Sequence, residues 1–540
     1  PMHNLSAVSE FFNLSSEGAH RAEKDTENCG EVFVEIIHEI ASYGLNTISN
    51  IVSFLQPFDV YNKNLFINLA NQLAKEGNMK RGIVQSKLDK PSSGNIFFHE
   101  SNQDLSNTSS EDVFGKDGML RKTLDSFELR SNQILFSEFV DEIASSTGGI
   151  GVVEAGTGLG KSMAYLYPAI KYTHSEADRG PIILSCYTKH LQDQLFNNDL
   201  PKITKATSAN VKAVVMKGRN NYVCKTRLNW LVKSADKMLD GNEAMNLLPL
   251  LIWLEHTNTG DLDECPGFSN GFTFRLMGMI QSERGFCTSS VCGKNDGCFF
   301  GPLKRVAFQA NLIIVNHALL ISDGQSKIEA DDGQGFLPES NAVIIDEAHN
   351  LPDRIRMGME RRFTPTVVRN ATIDLEEYTE TIAEAAASLG SDGLLLQASL
   401  TSWALSVMKV CRGRISDLFR DLLSEPAEFE ERRVDTERLR NIFLASCDEV
   451  EGKVGQQQLQ QEHTGTVESP GQGLDRLKIL RDVLLDVEIK VDADDENPNI
   501  DIDAHRIGHL LEDMLRFGET TALVYVHDAK GKEGRIISHL

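Results

Sequence analysis

No run of about 18 uninterrupted apolar residues occurs in the 540 residues of the chain, so no stretch has the length and apolarity of a membrane-spanning helix. The opening PMHNLSAVSE lacks both the basic stretch and the apolar core of a secretory signal. On these grounds the chain reads as cytosolic (cytoplasmic). Cysteine is scarce, at nine residues. In a reducing compartment, clustered cysteines point to a metal or redox site before structural disulfides. Basic residues are outnumbered, 54 Lys and Arg against 78 Asp and Glu. The resulting net charge of -24 argues against a broad nucleic-acid-binding surface, because phosphate neutralisation needs cations. The deficit is uneven: -7 over residues 1–120, -4 over 121–350 and -13 over 351–540. A narrow basic groove can persist in such a middle third.

At this length three or four folding units are expected. Apolar spacing predicts helices over residues 5–12 and 31–40 and around NLFINLANQLAKE. Residues 90–118, rich in Ser, Asn, Gly and Asp, have no sustained period and read as a linker. From about 120 strands and helices alternate. GIGVVEAG runs into a glycine-rich turn and a helix, PIILSCYT precedes the helical KHLQDQLF, and NLIIVNHA and NAVIIDEA are apolar strands ending in polar residues. That alternation predicts an α/β fold with a parallel sheet covered by helices. Residues 217–303 carry cysteines and few strand signals, and read as an insertion. Beyond 350 the chain is helical and acidic, with a glutamine-rich loop, an acidic stretch, and two strands joined by a Gly-containing turn near the end. The first residue is Pro, which suggests a fragment or a processed chain.

The segment EAGTGLGKS, residues 154–162, follows an expected strand and opens a helix. Gly156, Thr157, Gly158 and Gly160 let successive backbone N–H groups face a phosphate chain, Lys161 reaches the terminal phosphates, and Ser162 can hold Mg2+. Ala155 stands where the strict pattern has Gly, a departure frequent in helicase-type loops. VIIDEAH, residues 343–349, supplies two acids at the carboxyl end of an apolar strand, Asp346 to hold Mg2+ and Glu347 to polarise an attacking water. Three cysteines, Cys287, Cys292 and Cys298, fall within the twelve residues CTSSVCGKNDGC. With Cys224 they make C-x62-C-x4-C-x5-C, a set of four thiolates that suits an iron–sulfur cluster or tetrahedral Zn2+ equally by spacing.

AGTGLGKS, LSCYTKHLQDQL (184–195), VNHALL (315–320) and DEAH (346–349), in that order, resemble the iron–sulfur DNA helicases of the DinG/XPD type in superfamily two, on the DinG side. The resemblance covers roughly residues 119–540. It implies a RecA-like first motor domain with an iron–sulfur insertion and a helical arch insertion. By family order, the motor domain occupies 119–216, 304–350 (with DEAH) and 516–540, the cluster domain 217–303 and the arch 351–515. LRSNQ, residues 129–133, resembles the adenine-reading motif, with Gln133 as the base contact and Arg130 nearby. His349 would couple nucleotide state to DNA. KGRNNYVC places Cys224 where the family has its first cluster ligand, so Cys224, Cys287, Cys292 and Cys298 would hold a [4Fe-4S] cluster. Cys265 is then the spare, and Cys29, Cys186, Cys411 and Cys447 read as unligated thiols. The implied activity is ATP- and Mg2+-dependent 5' to 3' movement on single-stranded DNA, acting as a monomer on forked or flapped DNA in repair or replication, with no membrane partner. The chain ends before the family's serine-alanine-threonine motif and second motor domain, so sustained hydrolysis is not expected of it alone.

LSAVSEFFNLSSEGAHRAEKDTENCGEVFVEII is similar to the carboxyl-terminal end of a DnaQ-type 3'-5' exonuclease, an RNase H-like fold, with His20 as general base and Asp25 as metal ligand. Residues 1–52 would be that end and 53–118 a helical segment and linker. The whole then reads as part of an exonuclease–helicase fusion, with a nuclease fed by a helicase-like ATPase as the alternative function.

Overall fold

The computed structural model describes residues 4–14, 22–76, 94–124, 127–146, 148–156, 158–174, 180–269, 273–283, 298–329, 335–359, 361–363, 365–389, 392–424, 431–434, 441–442, 444–450, 452, 472–485, 507–509, 511–512, 524–529 and 533–538. Two compact units are present, residues 1–283 with 295–347, and 284–294 with 348–540.

The first unit is built on a five-stranded sheet in the order β1-β3-β4-β2-β5. Its strands are β1 (Ile96–His99), β2 (Ile182–Cys186), β3 (Val211–Val215), β4 (Leu312–Asn316) and β5 (Ala342–Ile345). β3, β4, β2 and β5 run parallel, and β1 pairs antiparallel with β3. β2 is buried throughout, as a central parallel strand must be when helices cover both faces. The helix Lys161–His174 lays Ala164, Leu166, Tyr167 and Ile170 against this core. The expected strands at PIILSCYT, NLIIVNHA and NAVIIDEA are therefore β2, β4 and β5.

Two expectations do not hold. GIGVVEAG forms no strand: the described residues 148–156 join no ladder, and Ile150 and Val152 are about nine-tenths exposed. A strand needs a neighbour for its N–H and C=O groups, and β5, at the sheet edge, pairs only with β2. Residues 90–118 are not wholly a linker, because IFFH forms β1 and Ser109 with Asp112 makes a capping box on the helix Ser110–Phe114, burying Val113 and Phe114.

The amino-terminal helices Leu5–Phe11, Ala22–Ser42 and Lys63–Glu76 match the expected apolar spacing, and Gly44–Leu55 adds a fourth. The expected division at residue 52 falls inside that fourth helix. Ile48, Ile51, Phe54, Leu55, Leu69 and Leu73 share one hydrophobic core with Leu228, Leu231, Leu247, Leu250 and Phe268 of the cysteine-bearing insertion. Thr47 also donates to the Glu255 carboxylate at 2.9 Å across the same junction. The insertion and the amino-terminal helices thus form one packed body, an arrangement that local periodicity does not reveal.

The second unit is mainly helical. The long helices Pro365–Leu389 and Asp392–Ser424 pack along Val368, Leu375 and Tyr378 on one side and Ala404, Val407, Cys411, Ile415 and Leu418 on the other, with Leu480 and Leu484 closing the core. Those apolar positions recur every three or four residues, as a helix face requires. Strands β6 (Arg361–Phe363), β7 (Glu431–Val434), β8 (Val524–Ala529) and β9 (Glu533–Ser538) form an antiparallel sheet in the order β6-β9-β8-β7. The terminal hairpin is present as β8 and β9, but it pairs in this second sheet and not in the five-stranded one. Its expected return to the motor domain is not what the pairing shows. The glutamine-rich loop, save its last two residues, and the whole acidic stretch lie outside the described residues. Among the described residues no helix is long and apolar enough to cross a membrane.

Candidate nucleotide site and cysteine insertion

The loop before the helix Lys161–His174 turns through Gly158 and Gly160, whose φ values of +81° and +83° belong to the left-handed region. At Gly160 an added Cβ would lie 2.4 Å from Gln133 Nε2, the movable end of that side chain, so the left-handed backbone is the main reason for glycine there. Gln133 donates to the Gly160 carbonyl at 2.9 Å, and Arg130 Nη1 lies 3.6 Å from the same Cβ position. The expected base-reading pair is therefore brought to the phosphate loop. Arg130 is itself held by Glu128 at 2.8 Å. Gly156 has nothing within 4 Å of its Cβ position, leaving that backbone open to a close approach. Thr157 lies outside the described residues.

Lys161 Nζ pairs with Glu347 Oε1 at 3.0 Å. Asp346 follows β5, its N–H donating to the Ser185 carbonyl of β2 at 2.9 Å. Its Oδ1 accepts the Glu347 N–H at 3.0 Å and its Oδ2 accepts the Tyr165 hydroxyl at 3.1 Å. Glu347 has φ +53°, a left-handed conformation uncommon for a non-glycine residue. Burial, then Asp346 and Cys186, push the Tyr165 hydroxyl well above its ordinary pKa, so it stays protonated and remains a donor. Cys186, beneath the same carboxylate, is pushed up to about 12 by burial and by Asp346, which leaves it an inert thiol.

Sequence reasoning missed Asp199. Burial holds its carboxyl above the ordinary range, the Ser162 hydroxyl and Lys202 oppose that shift, and Asp346 adds to it. Asp199 closes the turn Leu195–Asp199 and is only 9% exposed. Ser185 and His317 were also missed: Ser185 Oγ meets His317 Nδ1 at 2.7 Å, joining the VNH segment to the strand that receives Asp346. The motif VNHALL was the available signal for His317, whereas Asp199 had none.

The Ser162 hydroxyl with the Asp346 carboxylate is an all-oxygen donor set, which suits a hard cation such as Mg2+. Left-handed glycines and an unobstructed Gly156 suit a bound phosphate chain. Both groups fit the residues present. His349 belongs to the second unit, exposed, with Nε2 against Asn350 at 2.9 Å.

Of the four expected cluster ligands, Cys287 and Cys292 lie outside the described residues. Cys224 precedes the helix Lys225–Lys233, its N–H donating to Ile280 at 2.7 Å, and Cys298 Sγ accepts the Gly301 N–H at 3.3 Å. Among the described residues no three or more metal-ligating side chains come together. Cys265 is buried in the shared core, where burial raises its thiol to about 11. Cys411 and Cys447 are in the core of the second unit, and Cys29 is exposed. His20 is outside the described residues, and Asp25 lies in the first turn of the helix Ala22–Ser42.

The insertion is rooted by buried charge. Lys217 Nζ, just beyond β3, meets Asp261 at 2.6 Å, Asp193 at 3.4 Å and Asp263 at 3.7 Å. Lys189 bridges Asn221 and Asp263, the latter at 2.8 Å. Arg227, also buried, donates to the carbonyls of Gln281 and Gly278 and pairs with Glu283 at 3.0 Å. Lys217 and Arg227 are therefore both turned into the protein interior.

Fold and loop together define a class, the α/β proteins in which a glycine-rich turn leads into a helix beside an acidic pair at a strand end. No family model matches the chain. Among characterised proteins, it is 32% identical over 241 residues to the ATP-dependent DNA helicase YoaA of Haemophilus influenzae, covering 45% of this chain and 36% of that protein. It is 33% identical over 246 residues to YoaA of Escherichia coli, covering 45% and 36%. To the 3'-5' exonuclease DinG of Bacillus subtilis it is 27% identical over 368 residues, covering 67% and 37%. The chain is thus similar to proteins named as YoaA helicases and as a DinG exonuclease, and it spans little more than a third of the length of these relatives.

Proposed function

We propose that the chain carries the nucleotide site of an ATP-dependent DNA helicase of the DinG type, moving 5' to 3' on single-stranded DNA in repair or replication and acting on forked or flapped DNA. The observation that carries the reading is the Lys161–Glu347 pair beside Asp346, with Gln133 on the loop. Lys161 would leave Glu347 for the terminal phosphates, freeing the Glu347 carboxylate to orient a water. Ser162 and Asp346 would hold Mg2+, which neutralises charge on the phosphate oxygens. Gln133 and Arg130 would fix the loop and meet the base. His349 would pass nucleotide state to the DNA-binding part. Cys224, Cys287, Cys292 and Cys298 would hold a [4Fe-4S] cluster within the insertion, and residues 351–515 would form the arch.

The test is ATP hydrolysis by the product of the whole gene, with Lys161→Ala alongside. Stimulation by single-stranded DNA, lost in the variant, is expected. Hydrolysis that ignores DNA, or that survives Lys161→Ala, refutes the reading. A second reading, a 3'-5' exonuclease fed by a helicase-like ATPase, is favoured by the longer match to the Bacillus subtilis protein of that name. It expects ATP-independent degradation from a 3' end that His20→Ala abolishes.

A further inference from the structure

Helix Lys189–Gln194 follows β2 after Tyr187 and Thr188, and Thr188 caps it by accepting the Leu191 N–H at 3.2 Å. Its inner side is fixed to the five-stranded sheet, because Gln192, fully buried, donates through Nε2 to the carbonyls of Met216 at 2.6 Å and Ile314 at 2.9 Å. Its outer side carries Lys189 and Asp193, one turn apart and so on one face. Lys189 donates to Asn221 and to Asp263 at 2.8 Å, Asp193 lies 3.4 Å from Lys217, and Asp263 lies 3.7 Å from that same ammonium. Lys189, Asp263, Lys217 and Asp193 thus alternate in sign across the junction with the insertion. On the insertion side, residues 257–264 are bonded internally: Thr257 Oγ1 accepts the N–H groups of Thr259 and Gly260, Asp261 accepts that of Asp263, and Thr259 donates to Glu264 at 2.6 Å. A loop tied to itself in this way moves as a unit.

The buried Lys217–Asp261 pair already roots the insertion. Lys189, Asp263 and Asp193 are 41%, 42% and 43% exposed, where an ion pair adds little stability. What they add is direction, since a helix bonded to the sheet on one side and to the loop on the other carries displacement between them. The sheet end is itself tied to the acid pair, because Ser185 of β2 accepts the Asp346 N–H at 2.9 Å. We propose that helix Lys189–Gln194 couples nucleotide binding at the phosphate loop to the insertion, with Gln192 as its hold on the sheet and the Lys189–Asp263 pair as its contact with residues 257–264. The proposal rests on the nucleotide-site reading given above. Lys189 is a positioning residue and no part of that site.

Titration with a fluorescent ADP analogue fixes the saturating concentration for each variant, and amide hydrogen exchange is then followed with and without ADP and Mg2+. In the unaltered chain ADP should slow exchange at residues 158–165 and change it at 257–264 by about fivefold, the lower end of coupling between sites. Lys189→Met should keep the effect at 158–165 and lose it at 257–264. Asp263→Asn, which removes the same pair from the insertion side, should act alike, whereas Lys189→Arg, still able to reach Asp263, should retain both effects. A purely structural role instead predicts faster exchange at 257–264 by one factor with and without ADP, so that the nucleotide effect survives in Lys189→Met and Asp263→Asn; that result overturns the proposal. So does an unaltered chain in which ADP protects 158–165 and leaves 257–264 unchanged, with the nucleotide-site reading intact. If the unaltered chain binds no nucleotide, that reading fails and the proposal falls with it.

Discussion

Lys217→Met removes an ammonium from a place that water scarcely reaches while leaving most of the side-chain volume. Lys217 is 4% exposed and its nearest partner, Asp261, 1%. Burial alone lowers the pKa of Lys217, but Asp261, Asp193 and Asp263 outweigh it and raise the net value. For Asp261, burial raises the carboxyl and Lys217 only partly restores it. Lys217 shifts upward because three carboxylates surround it, whereas Asp261 shifts upward because burial outweighs its pairing with Lys217. Removing Lys217 leaves Asp261 as an unpaired buried carboxylate, a loss of about 3–5 kcal/mol near neutral pH. Its carboxyl is raised further in the folded variant. A group raised on folding contributes stability below its unfolded pKa and loses it as pH rises through the folded one, so the deficit is greatest at neutral pH and shrinks toward about pH 4. The double variant Lys217→Met/Asp261→Asn should recover most of the loss, since Asn can still accept the Asp263 N–H that Asp261 accepts at 3.1 Å. Urea denaturation in a Trp403→Phe background isolates the signal, because the other tryptophans, Trp230 and Trp253, both lie in the insertion. A loss below about 1 kcal/mol, the range of exposed pairs, or a double variant no more stable than the single one, would refute the reasoning.

Gly160→Ala places a methyl group against Gln133 in a left-handed backbone, and should cost about 1–3 kcal/mol locally and weaken nucleotide binding, read by titration with the same fluorescent analogue. Leu55→Ala, in the amino-terminal helices, should lower the stability reported by Trp253 by about 2–5 kcal/mol, since Leu55 is fully buried in the core that includes Trp253; an unmoved transition would show that the two parts fold separately.

The phosphate loop and the acids after β5 were legible because each is a run of adjacent residues whose spacing carries its own geometry. The same holds for β2, β4 and β5, whose unbroken apolar runs are long enough to register. GIGVVEAG carried the same signal and failed, because pairing depends on what lies alongside and β5 is an edge. Asp199 could not be found from NNDLP: its inward aim depends on a π turn that no local composition marks. Lys217 and Asp261 are far apart in sequence and meet only through the fold. Arg227, likewise, is turned inward onto carbonyls and Glu283, which its sequence neighbours do not indicate.

The core shared by residues 41–73 and 223–280 also sets an order of events during synthesis. Phe54, Leu55, Leu69 and Leu73 leave the ribosome with no partner made, and Leu247 and Leu250 emerge about 200 residues later. At about 5–20 residues per second that interval is roughly 10–40 s. For that time a sticky amphipathic bundle is held in solution by its charged faces or by a chaperone. These helices are therefore made well before the residues that complete their core, and a pause in translation between residues 76 and 223 should raise the yield of aggregated chain.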